Sequence, residues 1–181
     1  MTDGRAPAPF DPLAIIEALN RHDVPYIVIG GIAAGVQGAM WATFDLDITY
    51  SRSRVDLKRL AAALAELEAS PIGLEDGVQV HLDERGLKHG DVWTLATRHG
   101  RLDLLVEPAP GLRYETLEPR ARTIEGEQTY RVASIADLIA MKRVANRPQD
   151  AGHIRLLRAA WEASTEPVGP AGRSSTDVPS G

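Results

Sequence analysis

Apolar and polar positions repeat along this chain with two different periods, and the switches between them mark out its elements. In residues 11–22 (DPLAIIEALNRH), Leu13, Ile16 and Leu19 fall at helical spacing, with Asp11 placed as an N-cap and Pro12 in the first turn. Residues 25–29 (PYIVI) form a continuous apolar run that stops at Gly30-Gly31, which predicts a buried strand. Residues 32–40 (IAAGVQGAM) are small and read as a helix loosened by Gly35 and Gly38. Residues 45–50 (DLDITY) alternate, as a strand with one polar and one apolar face does. Residues 53–69 carry Val55, Leu57, Leu60, Ala61, Leu64 and Leu67 and read as an amphipathic helix. A strand is expected at 78–82 (VQVHL), and strands at 91–97 and 101–107 flank Arg98-His99-Gly100 as a hairpin. Ser134 opens a helix carrying Ile135, Leu138, Ile139 and Met141. Asn146-Arg147-Pro148 interrupts it, and a second helix is expected from about Asp150 to Trp161.

These elements predict an α/β (α+β) domain with a mixed sheet flanked by helices and a helical C-terminal segment. With 181 residues, the chain has the length of one domain with a single core. The domain is expected over 11–161, with 132–161 as its basic helical segment. Residues 1–10 are expected to be flexible. Residues 162–181, rich in Ser, Thr, Pro and Gly with almost no large apolar side chain, are expected to be a disordered tail. There is no cysteine, which excludes disulfide scaffolds, thiolate metal sites and a cysteine nucleophile. No apolar run approaches the roughly 20 residues that cross a bilayer, and the first residues contain no apolar signal core. The expectation is therefore a cytoplasmic protein without a membrane partner.

Charge changes the picture only once it is divided along the chain. The formal net charge of −5 argues against a generic polyanion binder. Yet residues 1–138 hold 14 basic against 21 acidic side chains, while 139–161 hold Lys142, Arg143, Arg147, Arg155 and Arg158 against Asp150 alone. An acidic body carries a basic helical segment.

Candidate chemistry concentrates in YIVIGGIAAGVQGAMWATFDLDITY. Gly30-Gly31 lies between a strand and a helix, where unpaired N–H groups and the absence of Cβ atoms let a phosphate approach the main chain. The same pair also reads as a tight turn. Strand alternation puts the carboxylates of Asp45 and Asp47 on one face, roughly 6–7 Å apart along the chain. They repel unless a cation lies between them, and magnesium suits such oxygen donors while keeping positions open for phosphate. Two ions about 4 Å apart can bind a triphosphate, activate a hydroxyl and stabilise leaving pyrophosphate. Two surface acids on an edge strand would look the same in sequence. Asp103 sits in the apolar strand Arg101-Leu102-Asp103-Leu104-Leu105-Val106, where a charge is costly unless paired or metal-bound. Its parity also fits a water-facing residue. With the Asp pair, it could complete a metal cage or accept the proton of an attacking hydroxyl.

Gly30-Gly31, then Thr43-x-Asp45-x-Asp47, then Asp103 on a later strand resembles the minimal nucleotidyltransferase fold of the polymerase β-like superfamily. The segment Leu138-x-x-Met141-Lys142-Arg143-x-x-x-Arg147-Pro148-x-Asp150 is similar to one in the AbiEii-like nucleotidyltransferase toxins, including the MenT type. Together the two resemblances span about 11–160. They imply magnesium-dependent transfer of a nucleoside monophosphate from an NTP, with tRNA as acceptor, a toxin role and a cognate antitoxin as partner. They also imply metal binding by Asp45 and Asp47 and contact of Lys142 with the triphosphate. Two departures bear on nucleotide or acceptor choice. Trp41 stands where related sequences often have Arg, and Gln149 where they often have Lys.

A triphosphate needs cationic help beside three aspartates, and Lys142 is the candidate for its β- or γ-phosphate. Arg143, Arg147, Arg155 and Arg158 could meet an RNA backbone or be solvated; Arg147 is also a candidate at the nucleotide. Asp150 could cap a helix or orient Arg147 or Lys142. Thr43 could hydrogen-bond the glycine turn or phosphate, and phosphorylating its hydroxyl would add nearly two negative charges there. The five histidines show no metal spacing, and no G-x-S-x-G or Walker-A pattern occurs. Trp41, Trp93 and Trp161 read as core or interface anchors. The rival readings are nucleotidyl transfer to a protein or small-molecule hydroxyl, and a non-catalytic binding or antitoxin-like module on the same fold.

Overall fold

The apolar run predicted to be buried is the strand next to the central one of a seven-stranded sheet. In the computed structural model, which describes residues 9–73 and 80–165, β1 (Tyr26–Ile29) is buried along its whole length. It pairs antiparallel with β2 (Asp45–Tyr50), and β2 pairs parallel with β5 (Gly100–Leu105). A hairpin at Arg98-His99 joins β5 to β4 (Val92–Thr97), and β4 pairs with the two-residue β3 (Ser70–Pro71). On the other side β1 pairs parallel with β7 (Tyr130–Val132), which pairs antiparallel with β6 (Arg122–Ile124). The order is β3-β4-β5-β2-β1-β7-β6, a mixed sheet flanked by helices as expected.

Helix α1 (Pro12–Arg21) begins as its sequence dictates. The Asp11 carboxylate accepts the Ala14 N–H at 3.1 Å, and Ile15, Ile16 and Leu19 are buried. Helix α3 (Arg54–Glu66) is capped by Ser53 and buries Leu57, Leu60 and Leu64. Helix α6 (Ile135–Ala145) is capped by Ser134 and ends at Asn146 in the left-handed region. Helix α7 (Asp150–Thr165) packs on α6 and runs four residues past the expected Trp161.

Three expectations are corrected. The helix expected over 32–40 is α2 (Gly30–Gly35), shorter and shifted toward the N-terminus. Gly38, at φ +94°, reverses the chain, with Ala39 N–H bonded to Ala34 C=O and Gly38 N–H to Gly35 C=O. The strand expected at 78–82 is absent over 80–82; residues 78 and 79 lie outside the described residues. There Asp83 accepts the Gly86 N–H at 2.8 Å and starts the short α4 (Glu84–His89), overriding the alternation before it. The stretch between β5 and α6 also holds elements the pattern did not announce: α5 (Tyr114–Leu117), a 3-10 turn over Glu118–Arg120, β6 and β7. Among the described residues, no helix is long and apolar enough to cross a membrane.

Candidate active site

Parallel pairing of β2 with β5 determines the site. The register sets Asp47 opposite Asp103 and Asp45 opposite Arg101, so period-2 alternation brings all four side chains to one face. One oxygen from each of Asp45, Asp47 and Asp103 lies within 4.8 Å of the others. Parity alone left Asp103 open between water and the site; it belongs to the site, at 9% exposure.

The glycines explain how Asp47 reaches its position. Gly30 lies at φ +66°, and a Cβ there would overlap the Asp47 carboxylate, 2.8 Å from its Cγ. A Cβ on Gly31 would lie 2.7 Å from both Cβ and Oγ1 of Thr43. The space freed by the glycine pair is therefore occupied by Asp47 and Thr43. The Thr43 hydroxyl donates to Asp45 at 2.9 Å, aligning the first acid of the pair.

Arg101 is the functional neighbour that sequence reasoning missed, although its parity with Asp103 was visible. Its guanidinium donates to both oxygens of Asp103, at 3.0 and 2.7 Å, and lies 4.0 Å from Asp45. The hydrogen bond to Asp103 raises its own pKa further above the ordinary value. One cation does not neutralise three carboxylates. Burial, and then the charges of Asp45 and Asp103, push Asp47 up to about 7, against the opposing pull of Lys142 and Arg101. Such a set of uncompensated hard oxygen donors fits a divalent cation.

Lys142 on α6 forms an ion pair with Asp150 at 3.1 Å, where Asp150 is only 2% exposed. Burial alone would raise the Asp150 pKa, but the Arg147 N–H at 2.9 Å and the Lys142 charge hold it below the ordinary value. Of the two roles open to Asp150, orienting Lys142 is thus realised. Arg147 contributes its main-chain amide here, and its side chain is exposed. The Lys142 ammonium also lies 5.4 Å from the centroid of the Trp41 ring, and Trp41 stacks on His153 at 4.1 Å and 10°. No metal-spacing pattern could have flagged His153, whose contact is aromatic. Trp41 is only half-buried, and Trp161 is exposed.

No family model matches the chain, and no curated protein matches it. Solved structures do. The solution structure of the antibiotic-resistance factor ANT(2″)-Ia aligns at 17% identity over 84% of this chain and 82% of that one, with a TM-score of 0.50. The crystal structure of ANT(2″)-Ia with adenylyl-2″-tobramycin aligns at 16% identity, 83% and 87% coverage and a TM-score of 0.53. A Thermotoga maritima protein described as a candidate nucleotidyltransferase aligns at 15% identity, 87% and 97% coverage and a TM-score of 0.51. The chain has the nucleotidyltransferase fold.

Proposed function

We propose that this protein is a metal-dependent nucleotidyltransferase that transfers a nucleoside monophosphate from an NTP to a hydroxyl at an RNA end, with the tRNA 3′ end as acceptor. The observation that carries the chemistry is the β2–β5 register, which gathers Asp45, Asp47 and Asp103 around a space fit for a cation. The acceptor oxygen bonds to the α-phosphorus, the bond to the β-phosphate oxygen breaks, and pyrophosphate leaves. Magnesium held by Asp45, Asp47 and Asp103 would neutralise the triphosphate and stabilise the leaving pyrophosphate. Asp103 completes that donor set or takes the hydroxyl proton. Lys142 meets the β- or γ-phosphate, Gly30 and Gly31 present backbone N–H groups, and Thr43 aligns Asp45. Arg147 adds positive charge toward the nucleotide.

The RNA acceptor is supported by α6 and α7, where Arg143, Arg155 and Arg158 are exposed and have no ion-pair partner among the described residues. Unpaired arginines on one helical segment suit a phosphate backbone. The toxin role and its antitoxin partner rest on the likeness of the Lys142–Asp150 segment to the AbiEii-like toxins. A second reading places the nucleotide on a small hydroxylated molecule. It is favoured by the shared fold with ANT(2″)-Ia, solved with adenylyl-2″-tobramycin.

Radiolabelled NTPs with Mg2+, total RNA, lysate protein and an aminoglycoside panel test these readings together. Label in RNA, lost in Asp45→Ala/Asp47→Ala and weakened in Arg155→Glu/Arg158→Glu, is the expected result. Label in an aminoglycoside alone transfers the claim to the second reading. Growth inhibition that survives the double Asp replacement would overturn the catalytic assignment.

A further inference from the structure

Lys142 is held from two sides by groups of different chemistry. Asp150 opposes its charge at 3.1 Å, and the Trp41 ring lies 5.4 Å away. A lysine on a flexible four-carbon stem, tied to one carboxylate, can still swing around it. A second contact on an aromatic face removes that freedom, provided the ring itself is held.

The ring is held. Trp41 stacks nearly parallel on His153, one turn into α7 from Asp150. Burial, followed by the Lys142 charge, lowers the His153 pKa below its ordinary value against the opposing pull of Asp150, 3.7 Å away. The connection from α2 to β2 that carries Trp41 is itself anchored. The Gln37 amide donates to the carbonyls of Ala33 and Ala133, each at 2.9 Å, and Gly38 faces Ala160 on α7. The ammonium thus caught is close enough to Asp47 to favour that carboxylate's charged form.

We propose that Trp41, kept flat by His153, is a positioning residue. It and Asp150 clamp the Lys142 ammonium beside the carboxylate site, so that the cation is already ordered when the β- and γ-phosphates of an NTP arrive. The identity of that anion rests on the proposed function; the clamp itself is measurable without any substrate.

The test is isotope-coded acetylation of the full-length protein, followed by mass spectrometry of the Lys142 peptide, with the exposed Lys58 as internal reference. Trp41→Leu accelerates Lys142 acetylation by about tenfold, the size expected of a partly desolvated cation–π contact, and leaves Lys58 unchanged. Trp41→Phe, which keeps an aromatic face, stays near the wild-type rate. His153→Gln, which removes the supporting ring but leaves Trp41, gives an intermediate acceleration and serves if Trp41→Leu fails to fold. In turnover, Trp41→Leu raises the KM for MgATP about tenfold with kcat changed by less than about threefold, because ordering of a binding cation is lost. Wild-type acetylation rates at Lys142 in folded Trp41→Leu, or in His153→Gln where Trp41→Leu does not fold, overturn the clamp even if nucleotide still turns over. Accelerated acetylation in a protein that binds no NTP leaves the clamp standing and removes the proposed function instead.

Discussion

Replacing Asp47 with Asn should make the metal-free protein more stable at pH 8, although it deletes a residue of the candidate active site. In the folded chain, the Asp47 carboxyl sits under Gly30, and burial, followed by the charges of Asp45 and Asp103, pushes its pKa from 3.8 up to about 7. The unfolded chain keeps the ordinary value. Below pH 4 the group is protonated in both states and contributes nothing to the difference. Above pH 4 the unfolded chain loses the proton first, so stability falls as pH rises and levels off above pH 7. The gap between the two values corresponds to roughly 4 kcal/mol at full burial, and partial solvent contact reduces this to about 2–3 kcal/mol.

Asn has the shape of Asp and cannot ionise, so the folded variant escapes this penalty. Thermal unfolding in EDTA from pH 4 to pH 8.5 should show the two proteins converging at the acid end. At pH 8, Asp47→Asn should melt about 4–10 °C higher. Other titrating groups are common to both proteins and largely cancel in the difference. Mg2+ should reverse the order at pH 8 by stabilising the wild type alone, and its binding between pH 5 and 7 should release a proton only from the wild type. A pH-independent difference, or an Asn variant less stable than wild type at pH 8 in EDTA, would refute the claim that Asp47 is held in uncompensated negative charge.

Three further outcomes follow from the same geometry. Gly30→Ala puts a Cβ into the Asp47 carboxylate at φ +66°; it should cost about 1–2 kcal/mol in thermal unfolding and abolish the Mg2+-induced rise in Tm. Arg101→Gln removes the guanidinium that holds both oxygens of Asp103. Calorimetric titration with Mg2+ alone should give affinity about fivefold or more tighter, and unchanged affinity would show that the guanidinium does not compete with the metal. Lys142→Met leaves Asp150 charged and unpaired at 2% exposure, which should cost about 3 kcal/mol in urea unfolding. Adding Asp150→Asn should restore at least half of that, while NTP turnover stays lost.

Local signals located most of the site's parts but not their assembly. The bounds of β2 follow from its alternation alone, and Asp11, Ser53 and Ser134 mark their helix starts because a capping side chain acts within three residues. The partnership of Asp47 with Asp103 needs β2 and β5 to be parallel neighbours, a choice made by the whole sheet and by no local pattern. Arg101 shows the same limit: its parity was legible, but the carboxylates it would serve were not. Trp41 and His153 meet only because α7 folds back against the turn at Gly38. The misread stretches have local causes as well. Glycines inside 32–40 looked like weak helix positions, whereas Gly38 ends the element, and the alternation at 78–82 yields to the cap at Asp83. Strands of three residues, such as β6 and β7, are too short for periodicity to register.

Two cations stand near the acidic site, and they are held in different ways. Arg101, 47% exposed, is held by Asp103 and drawn toward Asp45, the carboxylates a metal would use. Lys142, 20% exposed, is held by Asp150 and Trp41, which lie outside that donor set. A divalent cation entering among Asp45, Asp47 and Asp103 therefore removes the partners of Arg101 and leaves those of Lys142 intact. The first cation is exchangeable and the second is fixed, so filling the metal site frees the Arg101 guanidinium without disturbing the Lys142 ammonium. That asymmetry is why the net charge of −5 misleads. The acidity is partly gathered where a metal would cancel it, and part of the positive charge is clamped beside the site or exposed on α6 and α7.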